Sequence, residues 1–209
     1  MNILIFGASG ATGRELVKQS LERGHVVTAF VRNPAKLALQ HERLKTVQGD
    51  VKEYSSIECA VKGQDAVLSA VGVSKPLKRD AVVVEGVGNI VKAMESDTVR
   101  RFVYLSFVGV GESRNDGGFI LKHLISRIVR NEIADHEVKE QLIRSSKLDW
   151  TIVRPPKLTG GPGTGTYRSG EAIRTRSLLP TMSRADVADF MLRQLTDNTF
   201  IRKSPRIMY

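Results

Sequence analysis

Apolar residues cluster in short runs that alternate along the chain with longer segments of helical periodicity. Six runs predict strands, at 3–6, 26–31, 44–48, 65–70, 101–106 and 150–154. Apolar spacing predicts helices at 15–21, 55–61, 81–94 and 184–195, and a short last strand is expected at 206–209. Strands that alternate with helices form parallel sheets through right-handed crossovers. We therefore expect an α/β fold, a doubly wound parallel sheet with helices on both faces.

The segment 119–147 is the longest stretch between two predicted strands. Its apolar residues recur at 121, 124, 125, 128 and 129, and then at Ile133, Val138 and Leu142. This spacing predicts one or two amphipathic helices with those residues on the apolar face. The strand that follows is stopped by Pro155 and Pro156, because proline cannot donate to a strand ladder.

The first predicted strand runs directly into a glycine-rich turn, G-A-S-G-A-T-G, which opens the first predicted helix. Gly7, Gly10 and Gly13 allow a sharp turn, a close approach of backbone N–H groups to a pyrophosphate, and tight packing of the helix on the strand. The other residues expected at the pyrophosphate are Ser9, Ala11 and Thr12. Because a strand precedes this motif and a helix follows it, the motif indicates a dinucleotide site.

The end of the second strand indicates which dinucleotide is bound. An NAD site usually has a carboxylate here for the adenosine ribose, but no Asp or Glu occurs between Glu22 and Glu42. Arg32 offers a planar fork of donors to a 2′-phosphate, and Lys36 adds a point charge about one turn later. The sequence therefore favours NADP(H) over NAD(H). A solvated surface arginine is the alternative interpretation of Arg32.

Ligands of open parallel sheets lie beyond the carboxyl ends of the strands. Asp50 and Val51 follow the third strand and are expected at the adenine, although Asp50 also suits a turn. Val71 and Gly72 follow the fourth strand and are expected at the ribose or the pyrophosphate. This rule places several cofactor contacts at one edge of the sheet.

The ends of the fifth and sixth strands are expected to meet at the nicotinamide. Ser106 ends the fifth strand, and Pro155 and Lys157 follow the sixth. Ser106 is also explained as a hydroxyl that satisfies its own backbone, and Lys157 as an exposed loop lysine. The substrate pocket is expected between the loops at about 107–118 and 155–182, where the glycine-rich stretch 160–165 suits either a lid or a disordered connector.

Composition narrows the remaining function classes. The chain has 209 residues and a formal charge of +10, but its basic residues are spread along its length rather than interleaved with aromatics. This charge suits solubility and the steering of anionic small molecules, and nucleic-acid binding is not favoured. Cys59, the single cysteine, is expected in the core, and the four histidines lack metal-ligand spacing, so no metal site is predicted.

The same sequence bears on location and assembly. It contains no apolar span of 18 residues, so no membrane crossing is expected. Met1 leads directly into the first strand without a secretory leader pattern, and a cytoplasmic protein is expected. Either a monomer or a homodimer is compatible with these features.

Several motifs together carry a resemblance to a known family. They are Gly7 to Gly13, Val31-Arg32, Gly49-Asp50-Val51, Arg101 to Ser106, Asp149 to Pro155 and Ser183 to Ala188. The chain resembles the atypical short-chain dehydrogenase/reductases, and most of all the NADPH-dependent flavin reductase/biliverdin-IXβ reductase branch with its NmrA-like neighbours. The resemblance covers nearly the whole chain, and it implies a single Rossmann-like domain over 1–209.

The resemblance also identifies what this chain lacks. Typical members of the wider family use a Tyr-x-x-x-Lys pair, but no tyrosine here is followed by lysine four residues later. The usual positions of that pair fall near Glu132 and His136. In the flavin reductase branch, the serine that matches Ser106 lies beside the substrate, and His136 matches the histidine of an Asp-His pair, here Asp135-His136. A helix-face histidine held by its neighbour is the alternative interpretation of His136. A histidine of that branch is replaced here by Lys157.

These implications lead to two functional hypotheses. The first is an NADPH-dependent oxidoreductase that transfers hydride directly to a flavin, quinone or related conjugated acceptor, with Ser106, Lys157 and His136 as candidate catalytic residues. Such transfer relies on stacking a flat acceptor over the nicotinamide and needs little acid chemistry. The second is an NmrA-like redox sensor that binds NADP(H) without turnover.

Overall fold

The computed structural model describes residues 1–72, 80–113, 130–174, 177 and 179–209. Six parallel strands form the central sheet, in the order β3-β2-β1-β4-β5-β6. Their bounds are β1 Asn2–Phe6, β2 Val26–Val31, β3 Leu44–Gln48, β4 Ala66–Ser69, β5 Arg101–Leu105 and β6 Asp149–Val153. The strand order reverses beside β1, which creates the switch point where ligands of such sheets bind.

Helices cover both faces of the sheet. Their bounds are α1 Ala11–Glu22, α2 Tyr54–Val61, α3 Ala81–Ser96, α4 Arg130–Arg144 and α5 Arg184–Arg193. One apolar core lies between the sheet and the pair α1 and α5, and the other lies between the sheet and α2, α3 and α4. The expected doubly wound, Rossmann-like α/β domain is confirmed.

Three short strands were not predicted. They are β7 Lys157–Thr159, β8 Arg168–Gly170 and β9 Thr181–Ser183. The predicted last strand exists as β10 Arg206–Met208, but it pairs antiparallel with β8 rather than joining the central sheet. Isolated bridges join Lys203 to Thr151 of β6, and Arg206 at the start of β10 to Arg154 just after β6, so the C-terminal segment covers that edge.

The inner face of α4 differs from the prediction. Val138 and Leu142 are 49% and 39% exposed, whereas the helix buries Asp135, Lys139 and Glu140 together with its apolar residues. The predicted apolar face was therefore wrong in this part of the segment, because buried charges replace apolar contacts. The residues 119–129 of the same prediction lie outside the described residues.

Two further findings concern single features. Cys59 is exposed on α2, so the expectation of a core cysteine was wrong. Within the described part of the chain, no helix combines the length and the apolar character needed to span a bilayer.

Candidate functional site

A cleft of about 700 Å³ opens at the carboxyl ends of β1, β2, β3 and β4. Nine residues predicted for the nucleotide line it: Gly7, Ser9, Gly10, Arg32, Lys36, Asp50, Val51, Val71 and Gly72. The fold therefore brings together residues from four separate loops at the switch point of the sheet.

The glycine turn owes its shape to two close backbone contacts. Gly7 has a φ of +75°, and a Cβ there would meet the carbonyl group of Ala70. A Cβ at Gly13 would lie closer than 3.0 Å to the carbonyl oxygen of Gly7. Glycine is therefore required at both positions, as expected from the motif.

The amino end of α1 is suited to an anion. The N-cap residue, Gly10, has no side chain to cap the helix, and the first turn has no acidic residue. The first N–H groups of a helix lack intrahelical partners and carry partial positive charge. Ala11, Thr12 and Gly13 lie in this turn rather than among the residues that line the cleft.

The basic wall of the cleft lies just after β2. Arg32 and Lys36 are exposed and line the cleft. A short 3₁₀ turn, Pro34–Lys36, carries the lysine, and Asn33 caps it by accepting a 3.0 Å hydrogen bond from the N–H of Ala35. The two cations predicted for a 2′-phosphate thus share one wall.

The loop after β3 is held against α3. Gly86 has no side chain, and a Cβ there would clash with the side chain of Val51. Asn89 Nδ2 donates a 3.0 Å hydrogen bond to the carbonyl of Val51. Asp50 both lines the cleft and accepts a 3.1 Å bond from the N–H of Lys52. Asp50 therefore both stabilises its own turn and lines the cleft.

Sequence reasoning missed several residues of the cleft. They are Phe30, Asn33, Gly49, Lys52, Ala70, Asp80, Val82 and Val83. Asp80 had a detectable signal, since an Asp directly before an apolar helical run is a typical N-cap. Its carboxylate accepts from the N–H of Val83, and its own N–H donates 2.8 Å to Asp135 Oδ2 on α4.

A second polar centre lies behind the ends of β5 and β6. Ser106 is 4% exposed and donates a 2.7 Å hydrogen bond to Glu140 Oε1, and its Oγ lies 3.3 Å from His136 Nδ1. The structure thus brings together two of the three candidate catalytic residues. His136 contacts the serine, and its neighbour Asp135 bonds to Asp80 instead.

A buried ion pair anchors this centre. Arg154 is 1% exposed, and its Nε donates 3.1 Å to Glu140 Oε1 while Nη2 donates to Oε2. Burial alone would lower the pKa of Arg154, but the bonds and charges of Glu140 and Glu112 raise it. Arg154 therefore stays charged, and its partner Glu140 also accepts the hydrogen bond of the serine hydroxyl.

Beside this centre, Tyr104 Oη and Lys139 Nζ are buried and have no hydrogen-bond partner among the described residues. Burial, and then the charge of Glu140, raises the pKa of Tyr104 well above 10. Burial lowers the pKa of Lys139 to about 8, although surrounding carboxylates oppose the shift. Burial and the Lys139 charge hold the pKa of His136 well below its ordinary value. The imidazole is therefore neutral at physiological pH.

The other predicted nicotinamide residues lie apart from the cleft lining. Pro155 is buried after β6 and accepts a 2.9 Å bond from the N–H of Val108. Lys157 is exposed at the start of β7. The expected substrate loops are described at 107–113 and over most of 155–182, whereas 114–118, 175, 176 and 178 lie outside the described residues.

The glycine-rich stretch after β7 is anchored by Asp186. This carboxylate accepts 2.8–3.0 Å bonds from the N–H groups of Thr164 and Gly165, and it also accepts from Ser183 Oγ and Tyr209 Oη. Burial opposes ionisation, but these bonds lower the pKa of Asp186 to about 2. The stretch is therefore a fixed loop against α5 in this structure.

Known proteins resemble this chain over nearly its whole length. It is 26% identical to the UPF0659 protein YMR090W of Saccharomyces cerevisiae over 98% of this chain and 91% of that protein. It is 23% identical to the photosystem II assembly factor Ycf39 of Synechocystis over 98% of this chain, but it spans 61% of that longer protein.

Solved structures share the fold. A short-chain dehydrogenase/reductase from Veillonella parvula, solved in complex with NADP, superposes with a TM-score of 0.82 at 21% identity, over 100% of this chain and 94% of that chain. ChuY, an anaerobilin reductase from Escherichia coli O157:H7, superposes with a TM-score of 0.77 at 19% identity, over 100% and 97%.

These superpositions confirm the resemblance of the chain to short-chain dehydrogenase/reductases at the level of the fold. The glycine turn and the cleft at the switch point supply the local features of a nucleotide site. A model of the NAD(P)H-binding family matches residues 7–198, and the chain belongs to that family.

Proposed function

We propose that the protein is an NADPH-dependent reductase that transfers hydride to a flavin, a quinone or a related conjugated acceptor. The observation that carries the proposal is the cleft at the switch point, in which the glycine turn and the basic wall of Arg32 and Lys36 face one space. The NADP complex of the Veillonella protein and the reductase activity named for ChuY are consistent with it.

The residues present fit the cofactor. A diphosphate suits the uncapped amino end of α1, and Gly7 and Gly13 permit the tight turn that leads into this helix. Asp50 and Val51 are the proposed adenine contacts, with Val71 and Gly72 at the ribose. When bound, the nicotinamide supplies a hydride to the acceptor.

The preference for the phosphorylated cofactor rests on charge. In the described part of the chain, neither Arg32 nor Lys36 forms an ion pair, and the end of β2 has no carboxylate for ribose hydroxyls. A 2′-phosphate would neutralise both cations, whereas the hydroxyl of NAD(H) would not. NADPH is therefore the proposed donor.

At the proposed nicotinamide end of the site, the side chains act by orienting the reactants. Ser106 points its hydroxyl hydrogen at Glu140, and His136 is neutral and buried. This arrangement supports an orienting role for Ser106 and favours acceptors whose reduction needs little acid chemistry. Lys157 is exposed, so its proposed role is to attract an anionic acceptor to the pocket between 107–118 and 155–182.

The inward bonding of Ser106 also favours a second candidate, an NADP(H)-binding redox sensor without turnover. Measuring NADPH consumption in the presence of FMN or a simple quinone distinguishes the reductase from the sensor. Acceptor-dependent loss of the reduced-nicotinamide absorbance supports the reductase. Tight NADPH binding without such loss, across both acceptor classes, supports the sensor.

Titration calorimetry with NADPH and NADH tests the cofactor assignment. We expect the protein to bind NADPH more tightly than NADH, and the Arg32→Ala variant to lose that preference by about tenfold or more. Lys62→Ala, which removes an exposed lysine after α2, is the matched control and should retain the preference. An unchanged preference in Arg32→Ala contradicts the assigned 2′-phosphate site.

A further inference from the structure

A third basic residue, Arg14, lies beside the basic wall of the cleft. It stands in the first turn of α1, directly after Gly13, and its side chain is exposed. Its Nη2 donates a 2.8 Å hydrogen bond to the carbonyl oxygen of Lys36. The guanidinium of α1 is thereby held against the turn that carries Lys36, a cation of the cleft lining.

The local environment of Arg14 is unfavourable to a cation. The amino end of a helix carries partial positive charge, so a cation in the first turn is repelled by the helix dipole. Lys18, one turn further, has the same sign of charge and pairs with Glu22. Helix stability therefore does not account for an arginine at this position.

Three cations lie in neighbouring segments: Arg32 and Lys36 line the cleft, and Arg14, which does not line it, bonds to the Lys36 carbonyl. Among the described residues, no carboxylate forms an ion pair with Arg14, Arg32 or Lys36. A guanidinium carries five N–H donors, and Arg14 uses one of them in the described structure. The remaining donors and the uncompensated charge suit a compact dianion with several acceptor oxygens.

We propose that Arg14 is a third ligand of the 2′-phosphate and determines the preference for NADPH over NADH together with Arg32 and Lys36. This inference rests on the proposed NADPH-binding function. The bond to the Lys36 carbonyl positions the guanidinium before the nucleotide arrives, so little side-chain freedom is lost on binding. A bound dianion would attract each of the three cations and so offset the repulsion among them.

The competing explanation is structural. The carbonyl of Lys36 ends the 3₁₀ turn, and a cation that binds it would stabilise that turn whether or not a nucleotide is present. The two explanations differ in which nucleotide they affect. A structural role lowers the melting temperature and weakens both nucleotides equally, whereas a phosphate ligand affects NADPH selectively.

The experiment measures dissociation constants of NADPH and NADH for the wild type, Arg14→Gln and Arg14→Lys. Arg14→Gln is expected to weaken NADPH about tenfold and to leave NADH within about twofold. Arg14→Lys, which keeps the charge but loses the planar fork of donors, should weaken NADPH binding less than Arg14→Gln does. The dependence of NADPH affinity on salt should be shallower in Arg14→Gln than in the wild type.

The outcomes separate this inference from the proposed function. If the wild type binds neither nucleotide or prefers NADH, the proposed function fails. If the wild type prefers NADPH and Arg14→Gln keeps the whole preference, this inference alone is overturned. Equal weakening of both nucleotides with a lower melting temperature also overturns it, in favour of the structural role.

Discussion

The hydroxyl of Ser106 donates a 2.7 Å hydrogen bond to Glu140 Oε1, so a side chain expected at the substrate is bonded to the interior of the protein. The same carboxylate holds the guanidinium of Arg154. Ser106 therefore links the end of β5 to α4 and to the end of β6. Because this hydrogen bond points into the protein, the contribution of Ser106 to stability can be measured separately from its proposed orienting role.

Ser106→Ala should lower the free energy of unfolding by about 1–2 kcal/mol, because a buried hydrogen bond to a charged acceptor is lost. NADPH affinity should change little, since Ser106 lies outside the described lining of the cleft. Urea denaturation gives the first quantity and calorimetry the second. Ser145→Ala, which removes an exposed hydroxyl bonded to the Gln141 carbonyl, should have less effect on stability.

Glu140→Ala should be much more damaging than loss of the serine. The substitution leaves Arg154, which is 1% exposed, without its buried partner, and such a loss typically costs about 3–5 kcal/mol. Glu22→Ala is the matched control because its ion pair with Lys18 is exposed and worth at most about 1 kcal/mol. Similar urea midpoints for the two variants would contradict the buried-pair interpretation.

Lys139→Met should raise stability at pH 7. The folded protein lowers the pKa of Lys139 to about 8, below its ordinary 10.5, so the buried charge opposes folding at neutral pH. The gain on removal is about 1–3 kcal/mol, since one pKa unit corresponds to about 1.4 kcal/mol and nearby carboxylates lose a favourable charge.

The pH dependence gives an independent check on Lys139. Between about 8 and 10.5 the unfolded chain binds this proton more tightly than the folded protein, so wild-type stability gains from this group as pH rises. The titratable groups that face the amine are Asp80 of the α3 cap and Glu132, Asp135, His136 and Glu140 of α4. In Lys139→Met this gain should be absent, and melting temperatures across that window measure it. Parallel curves for both proteins would contradict the assignment.

Much of the fold was predictable because it depends on local patterns. The bounds of β2 and β3 match the prediction, since each is an apolar or alternating run that ends at turn residues. The strands β7 and β9 were missed because three residues carry no measurable periodicity. They pair with each other, and Asp186 on α5 binds the loop between them.

The candidate site was predictable where one motif supplies it. The glycine turn needs only neighbouring residues, and Arg32 follows directly from the end of β2. Glu140 with Arg154, and Arg14 with Lys36, are contacts between residues distant in sequence. No pattern of apolar residues reports such pairs, and the apolar spacing of α4 pointed to Val138 and Leu142 instead.

Gly13→Ala should disrupt both stability and nucleotide binding. Its Cβ would lie closer than 3.0 Å to the carbonyl oxygen of Gly7 and the Cα of Ala8, and both are backbone atoms that cannot move aside cheaply. Overpacking of this kind costs about 1–3 kcal/mol, and α1 would shift away from the turn. Gly88→Ala on α3 is the control, because the nearest described atom to its added Cβ lies 3.7 Å away in ordinary contact and Gly88 does not line the cleft. Melting temperatures and NADPH titrations of both variants test the comparison, and equal behaviour would contradict it.

Asp186→Asn should release the loop at 160–165 and lower stability by about 2 kcal/mol, because an amide cannot accept all the bonds that converge on this carboxylate. The pKa of Asp186 is lowered to about 2 from its ordinary 3.8, so its contribution is present above pH 3.8 and is lost as pH falls towards 2. The urea midpoints of the wild type and the variant should therefore converge in acid.

Limited proteolysis at neutral pH provides the second readout for Asp186. Cleavage within 160–165 should be faster in Asp186→Asn, because its backbone N–H groups lose the acceptor that fixes them. Asp197→Asn, which alters an exposed carboxylate bonded to Thr199, is the control and should cleave like the wild type. If the loop resists protease equally in all three proteins, Asp186 does not hold it, and the anchoring must come from the strand pairing of β7 with β9.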